Sequence, residues 1–192
     1  MRYCYIDTET TGLNPGEHEI IEIAIITEYA DGGVVRWSSK VRPAHIETAH
    51  PKALEINGYN EEAWGDAPSQ RNIAALVHQH LQGAVVVGHN VKFDIGFIQE
   101  MFEQHGIDHR WVHRDQIDTI TLVREHLFPT GLKSASLDNT RRWLGWSLEG
   151  AHSALKDAED CMRLRHSLER SSRFQRLCWS ILGPLRMASA RR

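Results

Sequence analysis

Residues 3–13 read YCYIDTETTGL, an apolar-rich run that passes into a turn and carries two carboxylates one residue apart, Asp7 and Glu9. A short apolar run that ends in a turn containing glycine predicts a β-strand. Because side chains alternate along a strand, Asp7 and Glu9 share one face of it. This stretch therefore predicts a strand that presents paired acids at its end.

Two later stretches carry further acids in contexts that suit the same chemistry. Residues 85–98 read VVVGHNVKFDIGFI, which is a buried-strand run, a polar turn and then Asp94 near the start of a helix. Residues 151–158 read AHSALKDA, in which His152 stands five positions before Asp157. Five residues of a continuous helix turn through about 500°, which would separate the two side chains. A loop histidine fits better, followed by a helix with Ser153 as its N-cap.

Clustered carboxylates favour a site for Mg²⁺, which binds few protein oxygens, keeps several waters and accepts substrate phosphate as a further ligand. A pair of such ions about 4 Å apart assists an in-line displacement at both the attacking and the leaving oxygen. An imidazole titrates near neutral pH and can take the proton from the attacking water, so His152 is predicted to be a base and not a ligand. Two-metal cleavage of a phosphodiester is the chemistry indicated for Asp7, Glu9, Asp94, His152 and Asp157.

Each motif also has a purely structural explanation. Asp-x-Glu at a strand end is usually solvated, Asp94 alone would favour a helix dipole, and His152 with Asp157 could form a surface pair. His89, in the polar turn, is expected to order its loop and is left out of the site. The occurrence of all three motifs in one chain favours the catalytic interpretation.

The three motifs, in this order and spacing, resemble those of the DnaQ-like (DEDDh) 3′–5′ exonucleases, a family that includes the proofreading epsilon subunit of DNA polymerase III and exonuclease X. The similarity covers about residues 2–168 and includes residues 136–145, SLDNTRRWLG, which resemble the helix before the family's last motif. The resemblance implies two Mg²⁺, replaceable by Mn²⁺. It assigns one ion to Asp7, Glu9 and Asp157, makes Asp7 a bridge to the second ion, places Asp94 at that ion or its water shell, and makes His152 the general base.

The resemblance also implies which residues meet the substrate. The turn from Thr8 to Leu13 is expected against the terminal nucleotide, with Leu13 near its base. Asn57 stands in the segment LEINGY, residues 54–59, where the family often has a His-Gly pair. The substrate-binding residues expected from the family are Thr8, Thr10, Leu13 and Asn57.

The order of the predicted elements indicates an α/β fold. An antiparallel run of three strands is expected at residues 2–7, 19–30 and 33–42, with further strands at 84–87 and 115–117. Helices are expected at 51–56, 68–81, 92–105, 118–127, 136–144 and 153–169. This mixed five-stranded sheet flanked by helices agrees with the ribonuclease H-like fold that the resemblance implies. Residues 1–170 are predicted to be the exonuclease domain and 171–192 a basic C-terminal tail, in which Gly183-Pro184 is expected to stop a near-helical apolar pattern.

The composition fits one soluble domain. The chain has 192 residues, of which 41% are hydrophobic and 24% charged, and it has no apolar run near the roughly 20 residues that span a bilayer. We therefore expect no membrane association and a cytoplasmic location. Eight arginines and one acid fall in residues 163–192, although the net charge of the chain is −3. Residues that could track phosphates are Arg163, Arg165, Arg170, Arg173, Arg176 and Arg186 of this region, alongside Lys92, Lys133, Arg141 and Arg142. The arginines of this region could instead solvate a helix face.

The sequence thus predicts a metal-dependent 3′–5′ exonuclease that releases nucleoside 5′-monophosphates. Its expected partner is a nucleic-acid 3′ end, with DNA favoured over RNA. The resemblance also favours single strands over duplexes, since it implies that a 3′ end threads into the metal pocket. The alternatives are RNA trimming, a replication subunit that has lost catalysis, and another metal hydrolase. A homodimer or a polymerase partner remains open.

Overall fold

A five-stranded mixed sheet lies at the centre of the computed structural model, which describes residues 1–109 and 116–190. The strands are β1 (Tyr3–Thr10), β2 (Ile20–Glu28), β3 (Val34–Lys40), β4 (Val85–Gly88) and β5 (Gln116–Asp118), in the spatial order β3-β2-β1-β4-β5. β1, β2 and β3 are antiparallel, whereas β4 is parallel to β1 and β5 is parallel to β4. The predicted antiparallel run of three is present. Residue 115 of the expected last strand, and residues 191–192 of the expected tail, lie outside the described part.

Helices cover both faces of the sheet, which explains why β2 is buried at seven of its nine positions. On one face, Cys4 and Ile6 pack with side chains of α3 (Gln70–Leu81) and α4 (Val91–Gln104). On the other, Tyr5 packs with Ala158 and Cys161 of α7 (Ala154–Glu169). Because strand side chains alternate, Asp7 and Glu9 point to the same face as Tyr5, the face that α7 covers.

The other helices close the ends of the molecule. α5 (Thr119–His126) and α6 (Leu137–Leu144) share a third apolar cluster with α7, built around Val123, Trp143 and Leu164. α1 (Pro51–Ile56) lies where a short helix was expected, whereas α2 (Glu61–Trp64) was not predicted. Two 3-10 turns complete the described structure, at Ile46–Thr48 and Phe128–Thr130.

The prediction that Gly183-Pro184 stops the C-terminal pattern is wrong, because α8 (Arg173–Ser189) runs through both residues. A capping box between Ser172 and Gln175 starts this helix. Gly183 then lies directly on the Trp143 ring, and Arg186 Nη1 donates a hydrogen bond of 3.0 Å to Trp143 O. An internal proline removes one helical hydrogen bond and clashes with the preceding turn. Packing of α8 against α6 thus offsets this cost.

Within the described ranges, no helix combines the length and the apolar character needed to cross a membrane.

Candidate active site

Asp7 and Glu9 occupy the second half of β1 and face α7, where Asp157 lies in the first turn of the helix. Ligand oxygens of the three carboxylates lie within 4.8 Å of one another. The helix begins at Ala154 with Ser153 as N-cap, as expected from the sequence. Residues at opposite ends of the chain therefore meet in one group of acids.

Asp94 joins this group from the other side of β1. It is buried in the first turn of α4, and its Oδ1 accepts hydrogen bonds from Thr8 N at 2.9 Å and from Thr8 Oγ1 at 2.8 Å. The bonds tie the start of α4 to the strand that carries Asp7. All four predicted acids thus converge on one end of β1.

The carboxylates oppose one another's ionisation. Burial and then repulsion from Asp94, Asp157 and Glu9 hold the pKa of Asp7 well above its usual range. Burial, together with the neighbouring acids, raises the pKa of Glu9 to about 8. Burial also raises the pKa of Asp94 to about 7, although the Thr8 hydrogen bonds act in the opposite direction.

A divalent cation would relieve this repulsion, because ionised carboxylates are favoured beside opposite charge. The donors are all carboxylate oxygens, the ligands that hard cations prefer. The residues present therefore fit such an ion.

Glu22 is a fifth acid at the site, and the sequence analysis did not identify it. It stands directly opposite Glu9 in the β1–β2 register, and its Oε1 accepts a 3.2 Å hydrogen bond from Ala154 N at the start of α7. Burial raises the pKa of Glu22, whereas the bond from Ala154 lowers it. Only the pairing register reveals this neighbour, which explains why the β2 pattern alone did not.

Arg141 reaches the cluster from α6 and is wrongly predicted as a phosphate contact. Its side chain is 1% exposed and forms ion pairs with Asp138, Asp157 and Asp160. The sequence shows the charge of an arginine but not its burial. Asp138 and Arg141 stand three residues apart, as do Asp157 and Asp160, and residues at this spacing lie on the same face of a helix. This spacing is the one feature of the sequence that could have indicated the ion pairs.

Two arginines of the C-terminal region are also bound within the protein. Arg165 Nη1 donates to Tyr5 Oη at 2.7 Å and pairs with Glu28 at 3.3 Å. Arg186 donates to Trp143 O, as described for α8. For these two residues the structure favours a packing role over contact with phosphate.

His152 lies in the loop immediately before α7, as predicted. Its side chain is 55% exposed, and its Nε2 is 3.9 Å from Asp138 Oδ2. Burial raises the pKa of Asp157, while the Arg141 guanidinium and, to a smaller extent, the His152 ring act in the opposite direction. The role of general base stays a prediction.

Two non-glycine residues of the described chain have a positive φ, Asn90 at 70° and His152 at 66°. Asn90 caps α4, which carries Asp94, and His152 comes two residues before α7, which carries Asp157. The left-handed conformation is uncommon for residues other than glycine, although Asn and His adopt it more often than most. Such conformations concentrate at functional sites, where the surrounding structure holds them.

His89 orders its loop, as expected. Its Nδ1 is 2.9 Å from Thr119 Oγ1, and its Nε2 donates to Ala135 O at 2.7 Å. Burial lowers the pKa of His89 and favours the neutral ring. Because both ring nitrogens make hydrogen bonds, neither is available to bind a metal ion.

A cavity of about 460 Å³ opens beside Glu9. Leu13 is 83% exposed at its rim. The cavity wall consists of Thr8, Glu9, Thr10, Gly12, Leu13, Asn14, His18, His50, Lys52, Ala53, Ile56, Asn57 and Phe93.

All four residues predicted to bind substrate line this cavity, but three of them also make internal hydrogen bonds. Thr8 Oγ1 donates to Asp94, Thr10 Oγ1 donates to Gly12 O at 2.6 Å, and Asn57 Nδ2 donates to Thr10 O at 2.9 Å. These side chains shape the turn that ends β1. Their contact with substrate stays a prediction.

Residues 4–164 match the model of a protein family described as an exonuclease. A PolC-type DNA polymerase III of Lacticaseibacillus paracasei is 30% identical over 173 residues, which are 88% of this chain and 11% of that protein. The DNA polymerase III epsilon subunit of Treponema pallidum is 29% identical over 167 residues, 85% of this chain and 74% of the subunit. The chain therefore spans about a ninth of the PolC-type relative and three quarters of the epsilon relative.

Among solved structures, Escherichia coli exonuclease I in complex with a dT13 oligonucleotide superposes with a TM-score of 0.76. The two chains are 20% identical, and the match covers 92% of this chain and 42% of exonuclease I. At this identity the similarity concerns the fold. It confirms the predicted ribonuclease H-like arrangement of a mixed five-stranded sheet with flanking helices.

Proposed function

This chain belongs to the exonuclease family, and we propose that it is a metal-dependent 3′–5′ exonuclease that removes nucleoside 5′-monophosphates from DNA. The observation that carries the proposal is the meeting of Asp7, Glu9 and Asp157 within 4.8 Å, with Asp94 beside them. The names of the relatives, both DNA polymerase III proteins, support DNA as the substrate. The oligonucleotide bound by exonuclease I supports a single-stranded 3′ end.

The acids are proposed to hold two divalent cations, Mg²⁺ with Mn²⁺ as a substitute. When bound, such a pair supplies electrostatic stabilisation to the attacking and leaving oxygens of a phosphodiester. Asp7, Glu9 and Asp157 would hold one ion, and Asp7 and Asp94 would serve the second ion or its water shell.

His152 is proposed to accept the proton of the attacking water. Its ring is exposed in the loop directly before the helix that carries Asp157, and an imidazole nitrogen can accept a proton from water. The water oxygen then bonds to phosphorus, while the bond from phosphorus to the 3′ oxygen of the preceding nucleotide breaks. That 3′ oxygen takes a proton from solvent, and the terminal nucleotide leaves with a 5′-phosphate.

The cavity beside Glu9 is proposed to hold the terminal nucleotide. Its volume of about 460 Å³ falls in the range of small-molecule sites, roughly 300–1,000 Å³. Leu13 and Phe93 offer apolar surface for a base, while Thr8, Thr10 and Asn57 keep the turn between cavity and acids in place.

Digestion of matched DNA and RNA oligonucleotides, labelled at the 5′ end and presented as single strands or duplexes, tests the proposal. We expect single-stranded DNA to shorten fastest, with EDTA stopping the reaction. Asp66→Asn, which removes an exposed acid outside the cavity wall, serves as the control and should cleave normally. Faster trimming of RNA would replace the DNA assignment, and activity that survives EDTA would overturn the metal assignment.

A further inference from the structure

Arg141 is among the largest fully buried side chains of the protein, yet it carries a permanent charge. Its guanidinium is held at three points. Nε donates to Asp160 Oδ2 at 2.7 Å, Nη2 to Asp157 Oδ1 at 2.6 Å, and Nη1 to Asp138 Oδ1 at 3.0 Å. The geometry fixes the guanidinium between α6 and α7.

Two of these three acids stand at the proposed site. Asp157 belongs to the metal-binding cluster. Asp138 uses Oδ1 for Arg141, and its Oδ2 is 3.9 Å from Nε2 of His152. The guanidinium therefore contacts both a proposed metal ligand and the acid beside the proposed base.

We infer that Arg141 is a positioning residue that sets the orientation of the Asp157 carboxylate for the metal and of Asp138 beside His152. The inference rests on the proposed function, because it takes Asp157 as a metal ligand. Asp160 has a different part. It lies one turn further along α7 and is paired with Arg141 and Lys156, so it anchors the far end of the guanidinium.

A positive charge alone would not fix the orientation of the Asp157 carboxylate. Asp157 lies near Asp7, Glu9 and Asp160, and each of these acids opposes its ionisation. A planar guanidinium donates in fixed directions and can hold several carboxylates at once, whereas an ammonium is a compact point charge on a flexible stem. Partners behind a metal ligand orient it, and their loss typically costs about 10–100-fold in metal affinity or activity.

Arg141→Lys tests the inference, because it keeps the positive charge but removes the planar guanidinium that donates in fixed directions. We expect Mn²⁺ binding, measured by calorimetry on the folded protein, to weaken by about 10–100-fold. We also expect kcat on single-stranded DNA to fall more than KM changes. Arg36→Lys is the matched control. Arg36 Nε donates to Oε1 of Glu159, another residue of α7, at 2.8 Å on the exposed surface. Its Mn²⁺ affinity and kcat should equal those of the wild type.

The alternative is a role in folding only. In that case Arg141→Lys would melt at a lower temperature, while its Mn²⁺ affinity and kcat below the melting range would be unchanged, and the inference would be overturned. Should Arg141→Lys not fold, Asp160→Asn decides the question by the same titration. Weaker Mn²⁺ binding in that variant supports positioning through Arg141, and wild-type binding refutes it.

Failure of the proposed function gives a different result. If the wild-type protein neither binds Mn²⁺ nor shortens DNA, the metal site itself is wrong. If the wild type does both and Arg141→Lys matches it, only the positioning role is wrong.

Discussion

Asp7 and Asp157 belong to one carboxylate cluster but differ in their neighbours. Burial and neighbouring acids raise the pKa of both carboxyls, but Asp157 also accepts a hydrogen bond from the buried Arg141. We therefore expect Asp7→Asn and Asp157→Asn both to abolish cleavage, but to shift metal-free stability in opposite directions. Asp7→Asn should raise the melting temperature in EDTA, since it removes a repelled charge. Asp157→Asn should lower the free energy of unfolding by about 2 kcal/mol, because it leaves the buried charge of Arg141 without one of its three carboxylate partners.

Thermal melts in EDTA and digestion of single-stranded DNA measure both effects. Appreciable activity in either variant would remove that residue from the metal site. A stability shift of the same sign in both would contradict the charge distribution described for the cluster.

His152→Ala should lower kcat by about 10²–10⁴-fold, the usual contribution of a general base. Mn²⁺ affinity should be nearly unchanged, because the three clustered acids remain. His45→Ala, which removes an exposed histidine outside the cavity wall, is the control. If Mn²⁺ affinity falls as far as kcat, His152 is a metal ligand and not a base.

At the scale of single residues, the sequence indicates the acids but not their supports. Strand alternation places Asp7 and Glu9 on one face, and the loop position of His152 follows from its spacing to Asp157. Glu22 and Arg141 come into view only with tertiary structure. The β-register sets Glu22 opposite Glu9, and packing of α6 on α7 buries Arg141.

Among the elements, α8 depends on a close approach to α6. A Cβ at Gly183 would lie 2.2 Å from Cε2 of Trp143, a contact that the ring cannot accept without moving. We expect Gly183→Ala to reduce the free energy of unfolding by about 1–3 kcal/mol, the usual cost of overpacking. Urea denaturation measures it. Gly16→Ala, which meets only Asn14 Oδ1 at 3.8 Å, is the control, and equal stability of both variants would mean that α8 does not pack as described.

Element prediction succeeds where local pattern and tertiary packing agree. The N-cap at Ser153 follows from residue type and spacing. α8 could not be predicted in full, because local propensity opposes a helix at Gly183-Pro184. Contacts with Trp143, more than thirty residues earlier, decide the outcome.

For the whole molecule, the raised pKa values of the acids make metal-free stability depend on pH. Glu9 has a pKa of about 8 and Asp94 of about 7 in the folded protein, against ordinary values of 4.5 and 3.8. Folded-state values above unfolded ones mean that the folded protein binds more protons. The stabilisation is then complete at low pH and is lost as pH rises through the folded pKa.

This loss of stability can be measured most clearly between about pH 6.5 and 8. Burial lowers the pKa of His80 and His89 from 6.5, so these residues act in the opposite direction, but only up to about that pH. We expect the melting temperature in EDTA to fall from pH 6.5 to pH 8, and to fall less in Glu9→Gln. Saturating Mn²⁺ should remove the decline, because the metal binds the ionised acids. A melting temperature that rises across this window in EDTA would refute the electrostatic description.

One experiment tests the proposed metal-dependent exonuclease activity most directly. Single-stranded DNA, labelled at its 5′ end, is followed after Mg²⁺ is added to metal-free protein. We predict no cleavage before the addition. Afterwards the labelled strand should shorten one nucleotide at a time, with nucleoside 5′-monophosphates as the released product. Cleavage without the metal, or release of the label first, would contradict the account.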